Sequence, residues 1–501
     1  MPGERIGGSF RDPSGFVFTR GTTLYRQVNA CYGATFDAVA AAGLFNCLWE
    51  QGLLVRHEPA DPALASDPSR ASRVIQPQRV PFVSFPYEWS FGMYQAAALA
   101  TLEIESLALS RGFTLKDASA YNIQFVDGRP IFIDTLSFER YQEGRPWAAY
   151  RQFCQHFLAP LALMARVDIR LGMLMKSCID GIPLDLAARL LRGRARWNPG
   201  LLMHIHLHAR SQQRHAADAA RPPSAAPAVG TLQLRGILES LRSTVRRLAW
   251  RPAGTEWADY YTFTNYSDAA FAAKRSAVEE LIAKAAPAQV WDLGANNGAF
   301  TRLASRRGIP SVAFDIDPAA VEQNYRMIRH DRERNLLPLV VGLANPSPAL
   351  GWAGEERESL RQRGPVDLVL ALALIHHLAI GNNVPLEQIA DYLASLCRHL
   401  VIEFVPKADS QVARLLATRP DIYADYTPAG FERAFARLEA DYPAEQFGRL
   451  LEAEGIAPAA LKRELRESLL LQRLFIDEVV ARVAVTDEEV ATAFGLGSFA
   501  T

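Results

Sequence analysis

Apolar runs of strand length recur along the second half of the chain, at residues 289–293, 310–314, 338–343, 366–374 and 399–405, with helix-patterned segments between most of them. Runs that are hydrophobic on both faces and alternate with helices predict a parallel sheet covered on each side, an α/β fold. Ligands of such sheets bind beyond the carboxyl ends of the strands, near the switch in strand order. The polar residues at those ends are the candidate site: the loop after Leu293, then Asp315, Asn345, His376, His377 and Glu403.

The loop after the first strand reads Asp292-Leu-Gly-Ala-Asn-Asn-Gly298, and the next strand ends in Phe314-Asp-Ile-Asp317. Two glycines allow tight backbone turns close to a ligand, and a carboxylate about 20 residues on suits the hydroxyls of a nucleoside. Asn296 stands where a pyrophosphate-binding loop carries glycine, which favours a cofactor without phosphates. Asp317 precedes Pro318 and fits a helix N-cap with proline at the first helical position, which leaves Asp315 as the binding acid.

On these motifs, residues from about 257 to 438 resemble a class I S-adenosylmethionine-dependent methyltransferase with a Rossmann-like sheet. The resemblance implies that Asp292, Gly294, Asn296 and Gly298 line the methionine part of S-adenosylmethionine, and that Asp315 takes the ribose. Asn345 and Tyr266 complete the cofactor candidates. The aromatic segment 255–268 either folds over the pocket, with Tyr260, Tyr261 or Tyr266 near the ligand, or packs on the sheet.

His376 and His377 follow the fourth strand, where the resemblance places residues that meet the methyl acceptor. A histidine can take the proton of an oxygen or nitrogen nucleophile, or simply pack against the fold. Glu403 lies in an otherwise apolar strand end, where an ionised carboxylate is costly unless paired, and it stands as a substrate contact. Positioning in a dry site carries much of such a reaction, because a sulfonium methyl group is already activated.

The first 200 residues carry a separate signal. Leu115-Lys-Asp-Ala-Ser-Ala-Tyr-Asn-Ile-Gln-Phe125 is followed by a turn at Asp127-Gly128 and by Ile131-Phe-Ile-Asp-Thr-Leu-Ser-Phe138, which predicts a hairpin. The D-x-x-x-x-N spacing with a later aspartate resembles the catalytic loop of protein kinases and aminoglycoside phosphotransferases. That resemblance implies Asp117 as base, Asn122 and Asp134 as magnesium ligands, and ATP as co-substrate. Residues 11–18 suggest a strand-turn-strand and residues 81–89 resemble the link between two lobes. The pattern departs from the family too. No lysine precedes Lys116, only an arginine such as Arg26 could meet nucleotide phosphates, and no full glycine-rich loop is present. A phosphotransferase, and a scaffold in which both folds are relics, therefore stand beside the methyltransferase reading.

Composition narrows the setting. A formal net charge of zero gives no global field toward nucleic acid or an anionic membrane. Of 54 basic residues only six are lysine, an arginine bias that fits a GC-rich bacterial genome. Five cysteines without a C-x-x-C pair favour a reducing compartment, and with no long apolar run the expected location is the cytoplasm. A saccharide or other small molecule is the expected acceptor, since two-part proteins of this kind resemble modifiers of polysaccharides or nodulation-type oligosaccharides.

The predicted organisation is a kinase-like α+β domain over 1–200, an arginine-rich linker over 201–250, the methyltransferase domain over 251–438 and a helical tail over 439–501. His204-Ile-His-Leu-His208 is read as a packed or surface strand, although three histidines on one face could bind metal. Residues 470–490 of the tail resemble the chaperone helices of SurA-type prolyl isomerases, and the sheet is expected to lack the two strands that usually follow the fifth.

Overall fold

Residues 3–193, 198–209, 229–252, 268–417 and 419–440 are described by a computed structural model. The chain divides into two compact units, one formed by Met1–Ala258 with Phe314–Arg363, the other by Asp259–Ala313 with Gly364–Thr501.

The first unit opens with an antiparallel sheet of order β1-β2-β3-β5-β4, built from Glu4–Arg5 (β1), Gly15–Arg20 (β2), Thr23–Asn29 (β3), His57–Ala60 (β4) and Ala71–Pro77 (β5). The expected strand-turn-strand thus begins a few residues late: residues 11–14 are the turn, and β2 pairs with β3 through a tight reversal at Gly21, whose φ is 58°. Residues 81–90 connect this sheet to a helix, Phe91–Ser110, and bury Phe85, Tyr87 and Trp89 on the way. Ser90 caps that helix by accepting from the Met93 amide. Two further pairs follow, Phe113–Leu115 (β6) with Phe138–Arg140 (β9), and Ile123–Val126 (β7) with Arg129–Phe132 (β8). The β7–β8 hairpin is the one read from Asp127-Gly128, and both turn residues have positive φ, 50° and 68°, the geometry that this dipeptide favours.

A five-stranded sheet of order β12-β11-β10-β13-β14 comprises Val290–Leu293 (β10), Ser311–Asp315 (β11), Leu336–Val340 (β12), Val366–Ala371 (β13) and Cys397–Ile402 (β14). In chain order this is 3-2-1-4-5, the start of the doubly wound order, and β10–β13 and β13–β14 are parallel. Strand order reverses at β10. The fold is therefore α/β in this sheet, and an α+β region precedes it in the chain. Five strands form this sheet among the described residues; residues 441–501, with the predicted tail, lie outside them.

Two regional readings need correction. Residues 231–247 are not linker: Leu234, Leu238, Leu241 and Val245 recur at helical spacing and bury one face of Thr231–Arg247. Gln95 Nε2 holds that helix by donating to the carbonyls of Val245 and Leu248, each at 2.8 Å. The histidine cluster lies on a helical turn, Leu202–Leu207, and not on a strand. His204 and His206 are buried, and His204 joins the Tyr150 hydroxyl at 2.7 Å and the Ser240 hydroxyl at 2.9 Å. No group of metal-ligand side chains occurs among the described residues.

Candidate active site

At the switch point β10 runs into the loop 294–298, where Gly294, Asn296 and Gly298 all have positive φ, at 77°, 49° and 78°. Three left-handed residues in five make a tightly coiled loop, and asparagine is among the few side chains that accept this conformation. The Asn296 side chain accepts from the Asn297 amide at 2.8 Å, and the Gly298 amide donates to the Ala295 carbonyl at 2.9 Å. Asp292, fully covered, accepts from the Thr301 hydroxyl at 2.5 Å, which ties the strand end to the helix Thr301–Ser305. A methyl group on Gly294 would stand 3.1 Å from Leu374 Cδ1, so the loop passes close to the segment after β13 and glycine is needed there.

That segment carries the two histidines. His376 is 3% exposed, its ring centroid is 4.0 Å from that of His377, and its Nδ1 has no hydrogen-bond partner among the described residues. Burial, then His377 and Lys274, depress its pKa to about 3, and burial also lowers that of His377. His376 is thus neutral at physiological pH, suited to accept a hydrogen bond and weak as a proton acceptor until a ligand changes its surroundings.

Glu403 is ion-paired within the second unit. Its Oε2 accepts from Lys274 Nζ and from the Ala373 amide, each at 2.7 Å, and Ala373 has φ 50°. The pair braces the turn between β13 and His376. An acid in an apolar strand end needs a cation, and Lys274 supplies it to Glu403, the residue expected from the sequence as a substrate contact.

Asp315 and Asn345 belong to the first unit. Asp315 is buried, and its Oδ1 accepts from the Asp317 amide at 2.8 Å. Asp317 caps the helix Pro318–Asp331 by accepting from Ala319, as its sequence context implies. Between them Ile316 is 65% exposed. Asn345 is exposed, in the turn after β12. Tyr260, Tyr261 and Tyr266 lie outside the described residues.

Asp117, Asn122 and Asp134 lie near one another in the first unit. The Asp117 carboxyl is raised by burial and by Asp134, and it accepts from the Ser119 amide at 2.9 Å. Asp134 is bound by the Arg26 guanidinium from β3 and by the Ser137 hydroxyl. Burial pushes its carboxyl up, but Arg26 and these hydrogen bonds outweigh that and leave it below the ordinary value. Lys116 turns to the residues before β2, donating to Ser14 Oγ at 2.7 Å and approaching Asp12. Asp134, expected with Asn122 to hold magnesium, is thus paired with Arg26.

A curated relative decides the family. Nodulation protein NoeA of Rhizobium meliloti (strain 1021) is 36% identical over 446 residues, which cover 86% of this chain and 91% of the relative. The chain belongs to the NoeA family. No family model matches it. Among solved structures, the bifunctional kinase-methyltransferase WbdD overlaps 34% of this chain and 35% of its own, at 14% identity and a TM-score of 0.26. A Haemonchus contortus phosphoethanolamine N-methyltransferase in complex with S-adenosyl-L-methionine overlaps 48% of this chain and 55% of its own, at 10% identity and a TM-score of 0.21. This chain spans less than two thirds of either, and scores that low carry no argument; the fold of this NoeA-family chain rests on its own strand order.

Lys274 went unnoticed in the sequence, although a signal was there. It is one of six lysines in an arginine-rich chain, and it precedes Val278 and Ile282 at spacing i, i+4, i+8, on the face that the helix buries.

Proposed function

We propose that this protein is an S-adenosylmethionine-dependent methyltransferase acting on a saccharide or other small molecule. The observation that carries the proposal is the left-handed loop at the switch point, packed against the segment that presents His376 with an unpartnered buried nitrogen. Such a loop brings backbone amides, free of side-chain bulk, to a ligand at the carboxyl ends of the strands.

In this reading Gly294, Asn296 and Gly298 hold the amino-acid end of the cofactor, and Asp315 accepts hydrogen bonds from the ribose hydroxyls. Asp292 serves from behind, by fixing the loop through Thr301. Ile316, apolar and exposed beside a buried carboxylate, suits the face of a nucleobase. The bound cofactor would supply an activated methyl group. His376 orients the acceptor by taking a hydrogen bond from its hydroxyl or amine, and the Lys274–Glu403 pair keeps that segment in place. The saccharide assignment follows the chain's resemblance to two-part modifiers of polysaccharides and nodulation-type oligosaccharides.

Phosphoryl transfer is not part of the proposal, since Arg26 occupies Asp134. Calorimetry with S-adenosylmethionine tests cofactor binding, and mass spectrometry of cell extract incubated with a labelled methyl donor identifies the acceptor. Absence of both binding and label would favour a non-catalytic scaffold.

A further inference from the structure

Within the first unit, a cavity of about 710 Å³ opens beside the β7–β8 hairpin and the C-terminal end of the helix Pro318–Asp331. Its volume lies in the range of small-molecule sites, roughly 300–1,000 Å³. Arg129, Arg329, Arg332 and Arg334 line it, with Ile131 and Ile328 as apolar wall. Only two carboxylates, Asp127 and Glu333, share the lining, so cationic charge predominates. Asp127 is engaged as well, since its Oδ1 accepts from the Asn335 amide at 3.0 Å.

Three arginines of this unit outside the cavity join carboxylates: Arg363 joins Glu88, Arg326 joins Glu322 and Arg11 joins Glu356, at 2.6, 2.7 and 2.6 Å. Arg129, Arg332 and Arg334 make no ion pair among the described residues. A helix C-terminus favours cations, which accounts for Arg329 and Arg332. It does not account for Arg129, at the start of β8, or for Arg334, beyond the helix. Two stretches of backbone far apart in sequence, at Arg129 and at residues 332–334, thus bring guanidinium groups without an ion pair among the described residues to one cavity.

The walls are fixed to one another. Arg329 donates to the Gly128 carbonyl at 3.3 Å, and a methyl group on Gly128 would stand 2.7 Å from Ile328 Cγ2, so the hairpin tip rests directly on the helix. Positive φ at Arg332 and Asn335, 55° and 60°, turns the chain sharply and sets Arg332 and Arg334 at the rim. A guanidinium group gives two parallel donors to a phosphate, and several around one cavity recognise a doubly charged anion better than a single carboxylate.

We infer that this cavity is a binding site for a small phosphorylated molecule, a phosphate monoester or diphosphate whose organic part lies against Ile131 and Ile328. The site is independent of the methyltransferase reading.

Calorimetry of the full chain with inorganic pyrophosphate and with glucose 1-phosphate tests it. Saturable one-site binding of either probe is expected, weakened at least about fivefold by Arg129→Ala and by Arg332→Ala, and weakened by added salt. The thermal midpoint and far-ultraviolet circular dichroism of each variant serve as folding controls. A third variant, Arg334→Glu, reports independently if either alanine variant fails them. No saturable binding, or binding that the correctly folded variants change by less than about fivefold, would overturn the inference.

Discussion

Lys274 Nζ and Glu403 Oε2 lie 2.7 Å apart, with their side chains only 5% and 12% exposed. The same carboxylate oxygen receives the Ala373 amide, so one buried ion pair fixes the backbone that leads to His376. Removing one partner strands a charge. Lys274→Met is expected to cost about 3–5 kcal/mol in urea denaturation, and Glu403→Gln less, because the amide oxygen can still accept from Ala373. Equal and negligible losses would show that the pair is not a brace.

The loop at the switch point gives a sharper contrast. Gly294→Ala forces a side chain into φ 77° against Leu374, and is expected to lower stability by about 1–2 kcal/mol and to weaken cofactor binding. Asn296→Gly should be tolerated, whereas Asn296→Ala should cost about 1 kcal/mol, since only the former keeps φ 49° without strain. Denaturation curves of the three variants check the order.

Acid should destabilise the fold before the carboxylates titrate. His376 has a pKa of about 3 when folded, and His57, His156 and His204 about 4, against an ordinary 6.5, burial being the first cause in each. The unfolded chain therefore binds more protons below pH 6.5, and the stability these neutral rings confer is complete above that value and lost progressively toward pH 4. Each such histidine contributes about 2 kcal/mol of that loss by pH 5. His376→Asn should flatten the fall of thermal midpoint between pH 7 and pH 5; an unchanged slope would contradict the assigned pKa.

The Arg26–Asp134 pair predicts an absence that can be tested. Magnesium should leave the thermal midpoint of the wild-type protein unchanged and raise that of Arg26→Ala, in which Asp134 is released. A magnesium shift of equal size in both proteins would show that Arg26 does not exclude the ion.

Much of this was legible in the chain. Apolar runs located the five strands of the β10–β14 sheet to within a few residues, since strands buried on both faces leave a continuous hydrophobic signal. Asp127-Gly128 and Asp317-Pro318 gave a hairpin and a helix cap outright, because those dipeptides suit few other conformations. Glu403 and Lys274 were harder: 129 residues separate them, and local pattern holds no record of which buried carboxylate meets which cation. The linker boundary failed for another reason. Its arginines were counted as composition, while the leucines at helical spacing within the same stretch carried the structure.

Calorimetric titration with S-adenosylmethionine tests the central claim most directly. The account predicts saturable binding by the wild-type protein that is weakened at least about tenfold by Asp315→Ala, the loss expected when the ribose hydroxyls lose a charged hydrogen-bond partner. No binding by the wild-type protein, or the same affinity in a folded Asp315→Ala variant, would contradict it.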